Sequence, residues 1–463
     1  MSRFNSAVNT KITNKAGGES FDQSPKIKLI SHVLTSFVKD QFYRNAEDGI
    51  SELRELVDKN DKLFVAKLAL YARKEFGLRS VSHVLAGEVA RTVKGEQWTK
   101  SFFDKIVHRP DDMTEILSYY YSSVAKNEPN AMRKGFSSAF SRFNEYHLAK
   151  YQSKKKDVSL VDVTNVVHPK HTEAIAKLVS GELKNTETWE SQISSGKDKA
   201  QVWSDLLREN KLGYFALLRN LRNILDTAPQ LVDLVCKKLT NEDTIKKSLV
   251  MPFRYKTAIT ALSEASLPTS ETRKVIVAIS KAVDISLSNV PSLDGNTLVV
   301  VDVSGSMMGK PIEIASLFAS VLYKSNNADL MLFDYDARYA TANPIDSTIS
   351  IAQDIERMAT GGGTNFNSFF EKADKPYDRI VILSDMQGWI GYYSPVGSFN
   401  EYKKRTSCNP KIYSFDLQGY GSVEFPEPEV YCLSGFSEKV FDVMKLLEQD
   451  KNALVNKIME VQL

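Results

Sequence analysis

Cysteine is scarce. Cys236, Cys408 and Cys432 are the only three in the chain, an odd number, widely spaced and without a CxxC pair. That excludes a disulfide scaffold and predicts buried thiols in a reducing compartment. Long apolar runs are missing as well. None approaches the ~18–20 residues of a membrane span, and the N-terminal MSRFNSAVNTKITNKAGGES has no apolar segment of signal-peptide type. A cytoplasmic protein without membrane association is the expectation. No histidine follows His171, so an imidazole base for chemistry in the second half would have to come from the first. There is no P-loop, no nucleophile elbow and no zinc-ligand spacing. An RNase or other hydrolase is therefore disfavoured, and the reading is of a non-catalytic protein.

What the chain does have is enough length for two cores. At 463 residues it exceeds what one domain usually supports. The net charge of +3 hides an asymmetry: residues 291–463 carry 15 Lys and Arg against 23 Asp and Glu, leaving 45 against 34 for residues 1–290. A half with a balance of +11 beside one of −8 points to a polyanionic partner for the first.

Residues 1–24 are polar and contain glycine, which predicts a loosely held arm. From Pro25 to about Asn289 the pattern is helical. Ile27, Ile30, Val33, Leu34, Phe37, Val38 and Phe42 recur at three- and four-residue steps, marking one buried face, and later stretches repeat this. Breaks such as Gly77, Gly95, Pro110 and Pro129 fall at helix-length intervals, with Asp111 and Asn130 as N-cap candidates. Helical hairpins stacked as a HEAT-like α-solenoid over 25–290 fit this pattern. No clean fixed period is visible, so a compact irregular all-α domain stays open.

After the linker SLSNVPSLDGN the pattern alternates. Strands are predicted at Leu298–Val303, Leu330–Phe333, Ile380–Ser384, Ile412–Leu417 and Glu429–Leu433, with a short one near Arg338–Thr341. Helices are predicted at Pro311–Lys324, Ile349–Met358, Asn367–Ala373 and from Ser437 to near the C-terminus. This is a doubly wound α/β domain over 291–463.

Its first strand runs straight into a loop of oxygen donors, TLVVVDVSGSMMGK. Later, Gly361-Gly362-Gly363-Thr364 opens a helix, and Ile380-Val381-Ile382-Leu383 runs into Ser384-Asp385. In an open parallel sheet such ends converge on one crevice. Asp-x-Ser-x-Ser, then Thr, then Asp resembles the metal-ion-dependent adhesion site of von Willebrand factor A domains. The chemistry suits a hard cation such as Mg2+, which takes oxygen ligands at about 2.0–2.1 Å. Asp302 and Asp385 would offset its charge, and Ser304, Ser306 and Thr364 would supply neutral oxygens. All five are expected on solvated connections at one sheet edge, leaving room for a carboxylate or phosphate oxygen from a partner. Taken alone, the DxSxS motif is equally well a polar strand-to-helix turn.

The densest basic stretch runs from Arg133 to His171. A helix is predicted over Asn130–Gln152 with Met132, Phe136, Phe140 and Phe143 on one face. Arg133, Lys134, Arg142 and Lys150 fall off that stripe and should be exposed. Lys154, Lys155 and Lys156 follow, then His168, Lys170 and His171, with Tyr146 and Tyr151 interleaved. Exposed cations suit phosphates, and tyrosine or histidine can stack on an unpaired base. A solvated helix face with a charged turn is the plainer reading of the same residues.

A helical-repeat half followed by an adhesion-type A domain resembles the TROVE-domain family, the Ro autoantigen and its bacterial relatives. The likeness is carried by Asn14-Lys15-Ala16-Gly17-Gly18, by Met132–Phe143, by Ser159–Lys170 and above all by Leu217-Leu218-Arg219-Asn220-Leu221. It implies a ring of helical repeats closed by the A domain. Y-like non-coding RNAs would lie on the basic outer surface, and single-stranded 3′ ends of misfolded RNAs would enter the central hole. The implied role is RNA quality control, with a 3′→5′ exoribonuclease tethered through RNA. Lys150, one of Lys154 or Lys155, and His168 match the family's RNA contacts, and Arg133 and Lys134 match basic positions. Asn165 stands where the family has an arginine. The competing reading is a protein–protein adhesion module whose metal site captures an acidic residue of a protein ligand, the helices being scaffold.

Overall fold

The computed structural model describes residues 11–463 apart from 15, 23, 35–45, 153–156, 184–188, 194–195, 197, 249, 251, 291, 327, 391–394, 421, 426–429, 434–438 and 449–452. Helices occupy the first half, from Pro25–Leu34 to Thr269–Ser286. The strands are β1 (Lys11–Thr13), β2 (Glu19–Asp22), β3 (Thr297–Asp302), β4 (Asp329–Phe333), β5 (Ala337–Ala340), β6 (Arg379–Ser384), β7 (Lys411–Asp416), β8 (Ser422–Val423) and β9 (Val430–Leu433). Six form one sheet in the order β5-β4-β3-β6-β7-β9. All its pairings are parallel except β4 with β5. Helices plus a doubly wound sheet is the class the sequence predicted.

The run Leu298-Val299-Val300-Val301 is continuously apolar because β3 is covered on both faces. Val299 and Val301 belong to one core and Leu298 and Val300 to another, as the two-residue period of a strand requires. In the helical half, Lys62–Glu75 packs on Arg79–Thr92, which packs on Pro110–Ser123. The buried apolar residues there fall into two blocks, one from Ile27 to Leu183 and one from Val202 to Val283. Each block reaches the α/β unit. Phe318 joins the first, while its neighbour Leu317 on helix Lys310–Asn326 joins the second.

Polar contacts lock the same two junctions. Asp284 accepts from the Thr348 amide (3.0 Å) and hydroxyl (2.6 Å) and faces Lys324 at 3.3 Å, and Lys256 pairs with Glu356. On the other side Ser31 donates to Asp416 at 3.2 Å. The last helix, Ala453–Glu460, returns to Lys62–Glu75, where Lys67 donates to the Met459 carbonyl. Both ends of the helical series thus meet the α/β unit.

Several local expectations change. Lys11–Thr13 and Glu19–Asp22, predicted as part of a loose arm, form the β1–β2 pair, and β2 lies in the middle, pairing on its other side with β8. The long helix from Asn130 is broken: Asn130–Ala139 ends in a 3-10 turn at Phe140–Arg142, and Asn144 caps a new helix, Glu145–Tyr151, by accepting the His147 amide at 3.0 Å. The C-terminal helix is two, Lys439–Leu447 and Ala453–Glu460. Helix Pro395–Thr406 gave little sequence signal, because its buried apolar anchors are only Phe399 and Tyr402. Cys236 and Cys408 are free and half-buried rather than fully buried.

At helix Pro110–Ser123 the capping residue is Asp112, not Asp111. Pro110 fits the first turn, where its missing N–H is no loss, and Asp112 accepts the His108 and Arg109 amides at 2.9 Å each. This carboxylate is fully buried. It also meets Arg79 Nε at 2.9 Å, His83 Nε2 at 3.0 Å and Arg73 at 3.3 Å. Burial opposes its ionisation, but the His83 hydrogen bond and the Arg73 charge hold it well below the usual carboxylate range.

Candidate metal centre and basic face

The central strands β3 and β6 lie side by side, with β4 beyond β3 and β7 beyond β6. Chain order reverses there, which is where open α/β sheets leave a crevice at their carboxyl ends. Asp302 closes β3, and Ser384-Asp385 closes β6. The loop after β3 bends back so that the Gly305 amide donates to the Gly362 carbonyl at 2.9 Å, drawing the 361–364 turn alongside Ser304. Asp302, Ser304, Ser306, Thr364 and Asp385 therefore sit on connections at one sheet end. They are not solvated as expected: each is at least nine-tenths buried. Loops that lie far apart in the sequence cover them. Trp389 and Ile390 amides both donate to the Thr364 carbonyl at 3.2 Å, and a side chain on Gly363 would strike Ile390 and Trp389.

Hydrogen bonds orient the donors. Asp302 accepts from the Ser304 amide at 2.9 Å and the Ser384 hydroxyl at 2.6 Å, and the Ser304 and Ser306 hydroxyls lie 3.5 Å apart. Gln418 bridges the site, its amide donating to Asp385 Oδ2 at 3.1 Å and to the Ser306 carbonyl at 2.9 Å. Asp385 Oδ1 is buried with no hydrogen-bond partner. Among the described residues neither Asp302 nor Asp385 forms an ion pair with a basic side chain. Burial, and also the charge of Asp334, push Asp302 up to about 6. Burial and the charge of Asp302 push Asp385 well above the usual range.

This donor set fits a hard divalent cation. Two buried like charges, one with an orphaned oxygen, need a positive partner, and the hydroxyls add the neutral oxygens Mg2+ prefers. Among the described residues no three His, Cys, Asp or Glu side chains gather into a metal cluster, so the candidate depends on its hydroxyls. The sequence reading missed Ser384 as a positioning group and Gln418 altogether. It also missed the link to Asn14, which donates to the Gly388 carbonyl at 2.6 Å. Gly18 follows so closely that a Cβ there would lie 1.9 Å from that carbonyl oxygen. The Asn14–Gly18 segment is therefore a latch on the loop following Asp385.

The basic candidates divide into three groups. Lys134, Lys150, His168 and Lys170 are exposed. The Ser137 hydroxyl lies 3.5 Å from the His168 carbonyl, which sets the end of helix Leu160–Val167 beside the helix that carries Arg133 and Lys134. His168 holds φ +47° as the left-handed cap of its helix. Lys150 lies 5.7–6.0 Å from the Tyr151 and Tyr146 rings. Arg133 and Arg142 are exposed as well, but they have partners within the chain. Arg133 pairs with Glu128, and Arg142 pairs with Asp104 and donates to the Asp104 and Val107 carbonyls at 2.7 and 2.9 Å. Lys154, Lys155 and Lys156 lie outside the described residues.

The TROVE domain family model matches residues 23–180 and 179–290. Telomerase protein component 1 of Rattus norvegicus is 22% identical over 327 residues; the match takes in 50% of this chain but only 12% of that protein's length. RNA-binding protein RO60 of Deinococcus radiodurans is 20% identical over 474 residues, covering 87% of this chain and 88% of that protein. The crystal structure of the Deinococcus radiodurans RO (RSR) protein superposes with a TM-score of 0.63 at 18% identity, covering 94% of this chain and all of that one. That likeness establishes the shared fold across both halves. Because the family model spans more than half of the chain, the protein belongs to the TROVE-domain family.

Proposed function

We propose that the protein is a non-catalytic binder of non-coding RNA, with structured Y-like RNA on the basic face of the helical half. Single-stranded 3′ ends of misfolded RNA would enter a central hole of the helical ring, in a quality-control role that brings a 3′→5′ exoribonuclease to the RNA in the cytoplasm. The observation that carries the reading is the set of exposed cations Lys134 and Lys150 on two helices and Lys170 in the connection after a third, beside His168. Phosphate contacts of this kind position a nucleic acid without reading its sequence. The membership of the chain and the name of its full-length Deinococcus relative support the same reading.

In the α/β unit, Asp302, Ser304, Ser306, Thr364 and Asp385 would hold Mg2+ or another divalent cation. Such an ion would supply positive charge to bind an anionic oxygen of a partner. A second reading, capture of an acidic protein residue there, is favoured by the exposure of Tyr335 and Trp389, whose rings both approach Gly363.

The test is salt-dependent RNA binding by the full chain and its Lys134→Glu, Lys150→Glu, Lys170→Glu variant. Affinity for a structured stem is expected to fall, and the slope of log K against log salt to shrink by about 0.9 per lost phosphate contact. A variant equal to wild type in both would sink the assignment. RNA binding that survives Asp302→Ala while a protein partner is lost would give the metal site to the second reading.

A further inference from the structure

The helical half contains a hollow of about 630 Å3 whose walls combine cations with aromatic rings. Lys105, His108, Arg109, Arg142, Phe143 and Tyr151 line it. Three of these, Lys105, His108 and Arg109, were not among the sequence candidates, because each sits at a helix end or in a short connection with no basic run around it. The Arg109 guanidinium lies 4.4 Å from the Tyr151 ring centre. It is held there by a two-point contact with Asp111 at 3.0 and 2.8 Å. Asp111 also pairs with Arg79 at 2.6 Å, so its charge is shared. Arg142 is fixed by the carbonyls of Asp104 and Val107, which turns a flexible side chain into a rigid wall.

The volume falls within the usual range for a small-ligand site, about 300–1,000 Å3. A stacked guanidinium and phenol ring extend naturally to a further flat π system, and cations at the same mouth suit a phosphate. Partial burial and the nearby Arg73 charge push His108 below its ordinary value, which favours a neutral ring able both to donate and to accept. Lys105 and His108 also line an adjoining hollow of about 440 Å3 with Lys74 and Lys457. Glu75 and Glu460 line that second hollow too, so its charge is mixed and the phosphate contact is assigned to the first hollow alone.

We propose that this hollow is a single-nucleotide site: one unpaired nucleotide of a bound RNA stacks its base on the Arg109–Tyr151 pair and sets its phosphate against Lys105 and Arg142. The inference rests on the RNA-binding reading and adds to it a second contact, adjoining the exposed lysine face at Lys150, which lies 5.7 Å from the Tyr151 ring. A base in a duplex is stacked and paired on both sides and does not fit. Free mononucleotide shares the chemistry; the commitment is to a nucleotide within a strand.

The experiment compares full-length wild type with Tyr151→Ala, Tyr151→Phe and Lys105→Ala. The probes are a short single-stranded oligoribonucleotide, a blunt RNA duplex and AMP. Stacking of one base is worth enough that Tyr151→Ala should weaken the oligonucleotide about tenfold, with Tyr151→Phe near wild type and duplex affinity unchanged. Lys105→Ala, at an exposed position, tests the phosphate contact independently of folding, and its salt slope should fall by about one. Cross-linking of a 4-thiouridine probe at Tyr151 in wild type is the positional readout. If RNA binds but none of the three variants alters oligonucleotide affinity, the hollow is not used and only this proposal fails. AMP binding as tightly as the oligonucleotide would overturn the assignment to a strand. No RNA binding by wild type would overturn the functional reading as well.

Discussion

Asp112 in the helical half and the Asp302–Asp385 pair in the α/β unit are equally removed from water, yet their electrostatic settings are opposite. Asp112 is surrounded by Arg73, Arg79, His83 and two backbone amides. Its charge is answered from within the chain, so the cluster ties helices Lys62–Glu75, Arg79–Thr92 and Pro110–Ser123 together. Asp302 and Asp385 face each other with hydroxyls and an amide around them, and one carboxylate oxygen goes unanswered. A buried charge left incomplete in this way supports the proposed binding site rather than a brace, because its stabilisation must come from outside.

The comparison can be broken most directly at Asp112. Asp112→Asn removes the buried carboxylate that faces Arg73, Arg79 and His83, leaving Arg79 to Asp111 alone among the described residues, and should cost about 3–5 kcal/mol in urea unfolding. The sign of the pH effect follows from its depressed folded value. The stabilisation is present above the unfolded value of roughly 4 and is lost as pH falls below it toward the folded one. Wild type should therefore lose this increment only below about pH 4, and the Asn variant should lack that acid-dependent loss. A flat difference between the two proteins down to pH 2 would show that Asp112 is not the brace described.

Next in size is the response of the other site to the proposed cation. Mg2+ at about one hundred times its dissociation constant should raise unfolding free energy by about 2.7 kcal/mol, and Asp302→Ala should abolish the rise. An unchanged calorimetric Mg2+ affinity in that variant would remove Asp302 from the ligand set. The smallest effect sharpens the contrast. In metal-free buffer at pH 7, Asp385→Asn keeps the shape but removes one of two repelling charges. It should be neutral or stabilising by about 1 kcal/mol, on the scale of one pKa unit, the opposite sign to Asp112→Asn. Destabilisation comparable to that of Asp112→Asn would mean both carboxylates are structural.

How much of this could be read in advance differs between the halves. The strands leading to Asp302 and Asp385 were legible because buried parallel strands are short apolar runs, and the proposed ligands follow at their ends in the chain. The basic helices were legible as charge but not as geometry. Arg142 and Lys150 both fall off the apolar stripe and both are exposed, yet Arg142 is tied to the carbonyls of Asp104 and Val107 at the end of helix Thr99–Lys105. The split of the Asn130 helix depends on Asn144, whose side chain competes for backbone amides in a way periodicity does not register.

The sequence by itself determined the helix-then-sheet order, the charge division and which five oxygen-bearing residues are proposed as donors, since each is a property of neighbouring residues or of composition. The tertiary structure alone decided how deeply those donors are buried, and that Gln418 and Ser384 orient them. It alone placed Asn14 against the loop after Asp385 and closed a hollow around Arg109 and Tyr151. These arrangements join residues from distant parts of the chain, and their energies arise from exclusion of water and from the meeting of charges in space. Local pattern carries no record of either.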